Sequence, residues 1–221
     1  MRKEQPNTAD VREPLDRPKC STPQAMAIGE VVTDFVGIDF GAQQAGTTAI
    51  CFRERGLFRF EHSSKGEETD PWLENMIRRL CPAAIYMDAP LSLPGAYFGK
   101  GSDWFYRHAD RVARGMSPMF LGGLTARAMR LSERWRSQGI AVHEAYPSAL
   151  IRTEWDFLKI PAGRSIPPHK IRLMAGMFML PPPSPKDRHE TDAWLCWLIG
   201  HRHQQGQAHV FGEASEGVIL A

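Results

Sequence analysis

Three short stretches of this chain each carry an acid where a two-metal phosphate enzyme would want one. They are Val36-Gly37-Ile38-Asp39-Phe40-Gly41, Ile85-Tyr86-Met87-Asp88-Ala89-Pro90 and His189-Glu190-Thr191-Asp192-Ala193. The first two read as buried strands that stop at an aspartate, and the third opens a helix. Acids far apart in sequence can converge at the ends of neighbouring strands. Hard oxygen donors of this kind suit Mg2+ or Mn2+. The chemistry expected is phosphodiester hydrolysis with two ions: Asp39 bridges both, Asp88 holds one and Asp192 the other. The ions would orient a water in line with the scissile bond and neutralise the leaving oxygen. Asp39, Asp88 and Asp192 are thus the expected catalytic residues and metal ligands. His189 lies three residues before Asp192 on the same helix face, and is expected as a further ligand or a group that orients water.

Each acid also has a plainer role open to it. Aspartates commonly close turns after strands, and Asp192, like Asp187 and Glu190, could complement a helix dipole. Two observations favour ligands. An unpaired acid is costly to bury after an apolar run such as Phe35-Val36-Gly37-Ile38, and the same pattern recurs at Asp88. Pro90 prevents a central strand from continuing. That puts Asp88 at the carboxyl end of a strand, where open α/β sheets take their ligands. Glu144 also falls at a strand's end and is expected to contact substrate, with a fourth metal-binding carboxylate or a partner behind the ligands as the other roles open to it. Arg107 and Arg111 are expected to clamp flanking phosphates, since guanidinium groups bind phosphate in bidentate fashion. A surface ion pair between Asp110 and Arg114 is the plainer account of the charges there.

The elements that would position these residues follow from periodicity and turn chemistry. Residues 31–40, 47–53 and 57–62 read as a meander of three strands, with Arg55-Gly56 as a tight turn. Asp70-Pro71 starts a helix that runs to Leu80, and its apolar residues Trp72, Leu73, Met76, Ile77 and Leu80 have helical spacing. Residues 83–87 form a fully apolar run suited to a central parallel strand. Residues 93–120 are rich in glycine and aromatic residues and too long for an idle connection. An amphipathic helix over 124–138 ends at Gly139, a strand follows over 140–145, and helices follow over 149–157, 170–180 and 188–201. Residues 210–220 suggest an edge strand. The expected fold is α/β: a mixed sheet of three antiparallel strands followed by parallel ones, flanked by helices.

The totals bound the function. The chain of 221 residues allows one sizeable domain. Residues 1–30, rich in proline and charge, read as a flexible leader, and 31–221 as the domain. No apolar run is long enough to span a membrane and no signal-peptide core is visible, so a cytoplasmic protein is expected. The net charge of +2 does not by itself name a nucleic-acid partner. The arginines 127, 130, 134 and 136 read as a solvated helix face. Cys51, Cys81 and Cys196 read as small core residues, with no disulfide expected. Homo-oligomerisation is left open.

The chain also resembles a domain-of-unknown-function family of predicted ribonuclease H-like nucleases. The matching pieces are Gly37-Ile38-Asp39-Phe40-Gly41 with Gly46-Thr47-Thr48-Ala49, and Asp88-Ala89-Pro90-Leu91-Ser92-Leu93-Pro94. Further matches are Arg107-x-x-Asp110-Arg111, Glu144-Ala145-Tyr146-Pro147, Asp192-Ala193 and Gly212-x-x-x-Glu216-Gly217. Together they span about residues 33–221. The resemblance implies a ribonuclease H-like fold and a metal-dependent nuclease acting on DNA or RNA, with acids on the first strand, the fourth strand and the last helix. Two rivals share that superfamily. Asp39-Phe40-Gly41 with Thr47-Thr48 looks like the first phosphate loop of actin-like ATPases, which implies nucleotide binding or phosphoryl transfer. A non-catalytic binding module on the same fold is the other.

Overall fold

The computed structural model describes residues 33–160 and 165–221. The leader expected over residues 1–30 lies outside them. Among the described residues seven strands form one mixed sheet: β1 (Phe35–Asp39), β2 (Ala49–Glu54), β3 (Leu57–His62), β4 (Ala84–Asp88), β5 (Ala141–Ala145), β6 (Val210–Glu213) and β7 (Gly217–Leu220). Their order is β3-β2-β1-β4-β5-β7-β6. The first three strands pair antiparallel, as the meander predicts. β1, β4, β5 and β7 run parallel to one another. The strands at the centre are apolar at almost every position because helices cover both faces.

Helices α1 (Thr69–Leu80) and α4 (Gly123–Ser137) cover one face. Leu73, Ile77, Leu80, Leu131 and Trp135 pack there with Val36, Ile38, Ile85 and Met87. Between β4 and α4 the chain forms a short 3-10 turn and two short helices, α2 (His108–Ala113) and α3 (Pro118–Leu121). The other face takes α5 (Pro147–Glu154), α6 (Pro168–Met177) and α7 (Arg188–Gln204). There Trp155, Met174, Trp194 and Trp197 close over Phe35, Ala84 and Tyr86. Among the described residues no helix is long and apolar enough to cross a membrane.

Two expectations change, and one gains a detail. The arginines of α4 do stand largely in solvent, Arg130 and Arg134 with side chains 67% and 60% exposed, but they are also paired. Arg127 and Arg130 bond Asp70, and Arg134 bonds Glu74, so they tie α4 to α1. The C-terminal run is a hairpin rather than a single edge strand. β6 is the edge, and β7 inserts beside β5, because Ile219 and Leu220 are apolar residues that need cover on both sides. Cys51 and Cys196 are buried free thiols, but Cys81 is disulfide-bonded. It caps α1 in a left-handed conformation and is only partly buried, so the core does not enclose it.

The start of α7 is fixed by Asp187, whose carboxylate accepts the Glu190 amide at 2.9 Å, while the Glu190 carboxylate accepts the Lys186 amide at 2.6 Å. Asp187→Ala is expected to cost about 1 kcal/mol in thermal or urea unfolding. No change in stability would show that tertiary packing alone sets this terminus.

Candidate active site

Side chains alternate along a strand, so Phe35, Gly37 and Asp39 share one face of β1, and Ala84, Tyr86 and Asp88 share that face of β4. This is the face under α7. Asp39 and Asp88 are direct register partners at the carboxyl ends of two adjacent parallel strands.

Gly37 sets how α7 lies on β1. A Cβ at this position would stand 2.2 Å from both the Ala193 carbonyl oxygen and the Trp197 nitrogen. Only glycine allows helix and strand backbones this close. From Gly37 to Asp39 the strand advances about 6.6 Å. From Ala193 back to His189 the helix advances about 6 Å. The two rises match, which brings His189 over Asp39. Their bond, His189 Nδ1 to Asp39 Oδ2, is 2.6 Å. Asp192 lies on the same helical turn and is held by Arg188 at 3.2 Å.

The electrostatics show how closely the acids converge. Asp88 keeps some contact with solvent, yet protein surrounds its carboxyl. Burial pushes its pKa well up, and the charges of Asp39, Asp192 and Glu144 push it further, against a smaller opposing effect of Arg188. Burial and then Asp39 push Asp192 up to about 6. The buried Cys196 thiol, facing the group from α7, is pushed up first by burial and then by Asp88, Asp39 and Asp192 in turn. His189 is raised by its bond to Asp39. Asp39, Asp88, Asp192 and His189 are thus neighbours. Hard oxygen donors are the ligand type that divalent cations take. As the side chains lie, Asp39 is taken by His189 and Asp192 by Arg188. Among the described residues no three His, Cys, Asp or Glu side chains are arranged to enclose an ion.

His62 was not legible as part of this group. It ends β3, where register runs from Asp39 to Ala49 and from Ala49 to His62. Its ring lies 5.9 Å from that of His189 and its Nε2 is 3.4 Å from the Asp187 carboxylate. Only the strand register reveals this.

Arg107 and Glu144 lie together beside the acids, in a separate network. Arg107 is fully buried. Its Nε and Nη2 donate to Asp110 at 3.0 and 2.6 Å. Nη1 and Nη2 donate to Glu144, both at 2.7 Å, and Nη1 also donates to Ser92 at 2.8 Å. All five donors of the guanidinium are committed. Burial lowers the Arg107 pKa, but the bonds to Glu144 and Asp110 more than offset it and the net shift is upward. Asp110 therefore pairs inward with Arg107 rather than at the surface with Arg114. Glu144 also accepts the Leu91 amide at 2.9 Å. For Arg107 to grip a phosphate, this network would have to open. Arg111 sits apart, exposed, with its Nε 2.9 Å from Asp103 and its guanidinium 4.5 Å from the centre of the Tyr106 ring.

The Gly41 amide in the β1–β2 turn donates to Thr48 Oγ1 at 3.0 Å, so the turn's first amide is already engaged. No protein-family model, curated protein or solved structure matches the chain.

Proposed function

We propose that this protein is a ribonuclease H-like, metal-dependent phosphodiester hydrolase acting on nucleic acid. The observation that carries the reading is the pairing of Asp39 with Asp88 at the carboxyl ends of β1 and β4, with Asp192 brought beside them by α7. The strand order and the antiparallel meander support the architectural part. Asp39, Asp88 and Asp192 would hold Mg2+ or Mn2+. The bound cation would supply charge neutralisation at the scissile phosphate and a water that ionises near neutral pH. The protein's own part is to gather the carboxylates under α7, where burial and mutual repulsion hold Asp88 and Asp192 against ionisation and a cation's charge would offset both. His189 holds Asp39 in place and keeps a proton on Nδ1. Arg188 compensates part of the charge on Asp192.

The test is cleavage of end-labelled DNA and RNA oligonucleotides with Mg2+, with Mn2+ and with chelator. Cleavage is expected with metal and none with chelator. The unfolding temperature should also rise with millimolar Mn2+, because a ligand that binds only the folded state stabilises it. Equal cleavage with chelator, or no cleavage and no thermal shift with either metal, would sink the reading.

A further inference from the structure

Residues 93–121 present an unusual surface. The rings of Tyr97, Phe98, Trp104, Phe105 and Phe120 are all exposed, Phe120 by 64%. Four of them pack in pairs on one another rather than into the core: Tyr97 on Trp104 at 5.1 Å and Phe105 on Phe120 at 5.8 Å. Exposed aromatic surface on this scale usually marks a binding face. The segment is held in shape from beneath. Glu216 accepts the amides of Gly95 and His108 at 2.5 and 2.9 Å, Arg107 locks its middle to Glu144, and Ser117 bonds the Phe105 carbonyl. A platform set in advance loses little entropy on binding.

Charge selects the occupant. Lys100, Arg111 and Arg114 are exposed on this segment, with Arg111 lying over the Tyr106 ring that meets Phe120, whereas Asp110 turns inward; Asp103, paired with Arg111, and Glu216 beneath the segment offset them in part. A protein-docking core takes arginine readily but is depleted of lysine, so Lys100 is the cation that argues against one. Rings interleaved with cations are instead the composition that binds unpaired bases and their phosphates. The platform is also rooted beside the acids: the chain enters it directly from Asp88, and Arg107 binds Glu144, whose register partner is Met87.

We propose that this platform holds single-stranded nucleic acid, with bases stacked on the exposed rings and phosphates met by Lys100, Arg111 and Arg114. This deepens the proposed function and rests on its nucleic-acid substrate. The test is fluorescence anisotropy with a labelled 20-nucleotide oligo-dT and a duplex of equal length, in chelator at fixed salt, on the wild type and the Trp104→Ala/Phe105→Ala double variant. The single strand is expected to bind more tightly than the duplex. The double variant should weaken it by about tenfold or more, since each stacked base contributes on that order, with an unchanged melting temperature. Equal affinity for both nucleic acids, no binding, or an unaffected variant would overturn the proposal. So would binding of anionic lipid vesicles, or self-association through the rings, in place of oligonucleotide binding. Cleavage is scored separately, with metal and with Asp88→Asn. Binding without cleavage leaves the platform standing and removes the hydrolase reading, and cleavage with unaltered binding by the double variant does the reverse.

Discussion

Arg107→Ala is expected to destabilise the fold by about 3–5 kcal/mol, the usual consequence of removing one partner from a buried ion pair. Arg107 is fully buried and its partners Asp110 and Glu144 are 1% and 7% exposed. Without the guanidinium, two carboxylates remain inside with no counter-charge, and Ser92 loses a donor. At about 2–4 °C per kcal/mol for a domain of this size, the melting temperature should fall by roughly 6–20 °C. Arg107→Lys should recover only part of the loss, because an ammonium group cannot bridge two carboxylates in bidentate fashion. Urea unfolding of the three proteins makes the comparison. A loss below about 1 kcal/mol for Arg107→Ala would mean that water replaces the network readily.

Asp192→Asn is expected to act in the opposite direction. The folded protein holds Asp192 at about 6 against an ordinary 3.8. Between those values the native state keeps a proton that the unfolded chain releases, so stability falls as pH rises through this window and the full penalty applies above it. A rise of this size sets a ceiling of about 3 kcal/mol. Removing the carboxylate also removes its exposed bond to Arg188, which reduces the expected gain to about 2 kcal/mol. The variant should therefore melt about 4–8 °C above the wild type at pH 8 in chelator, with the difference vanishing below pH 4. Asp88→Asn should follow the same direction, since the Asp88 pKa is also raised. Saturating Mn2+ should narrow either gap, because it stabilises only the protein that retains the carboxylates. A gain independent of pH, or a variant less stable than the wild type at pH 8, would show that burial and repulsion of this carboxylate are not what strains the site.

How much of this was legible depends on whether a feature is local. The apolar runs that stop at Asp39 and Asp88 define β1 and β4 as they stand, and the helix read from Arg188 is α7, extended to Gln204. The run 93–120 did not look idle, and it carries the exposed rings. What could not be read depends on register and on distant partners. Nothing in Val218-Ile219-Leu220 says that β7 slots beside β5 instead of lying at the edge. The position of His62 beside His189 follows from two successive strand pairings. The arginines of α4 read as solvated, and most are, but that Arg127 and Arg130 meet Asp70 shows only when α1 is laid beside them. Arg107 looks available for phosphate until Glu144 and Asp110 are placed around it. Charge on a sequence carries no record of which opposite charge it will meet.

The close approach of α7 to β1 over Gly37 has a consequence for how anything enters the site. Backbone rests on backbone there, with no side chain between to yield or to fill a gap, so the helix cannot swing away from the strand without parting the two layers. Admission that keeps the two layers together is therefore a matter of rotamers. Turning His189 off Asp39 and Arg188 off Asp192 would free carboxylate oxygens while every Cα stays where it is. Such turns take picoseconds to nanoseconds for exposed side chains, which makes this a doorway of two side chains set in a fixed frame.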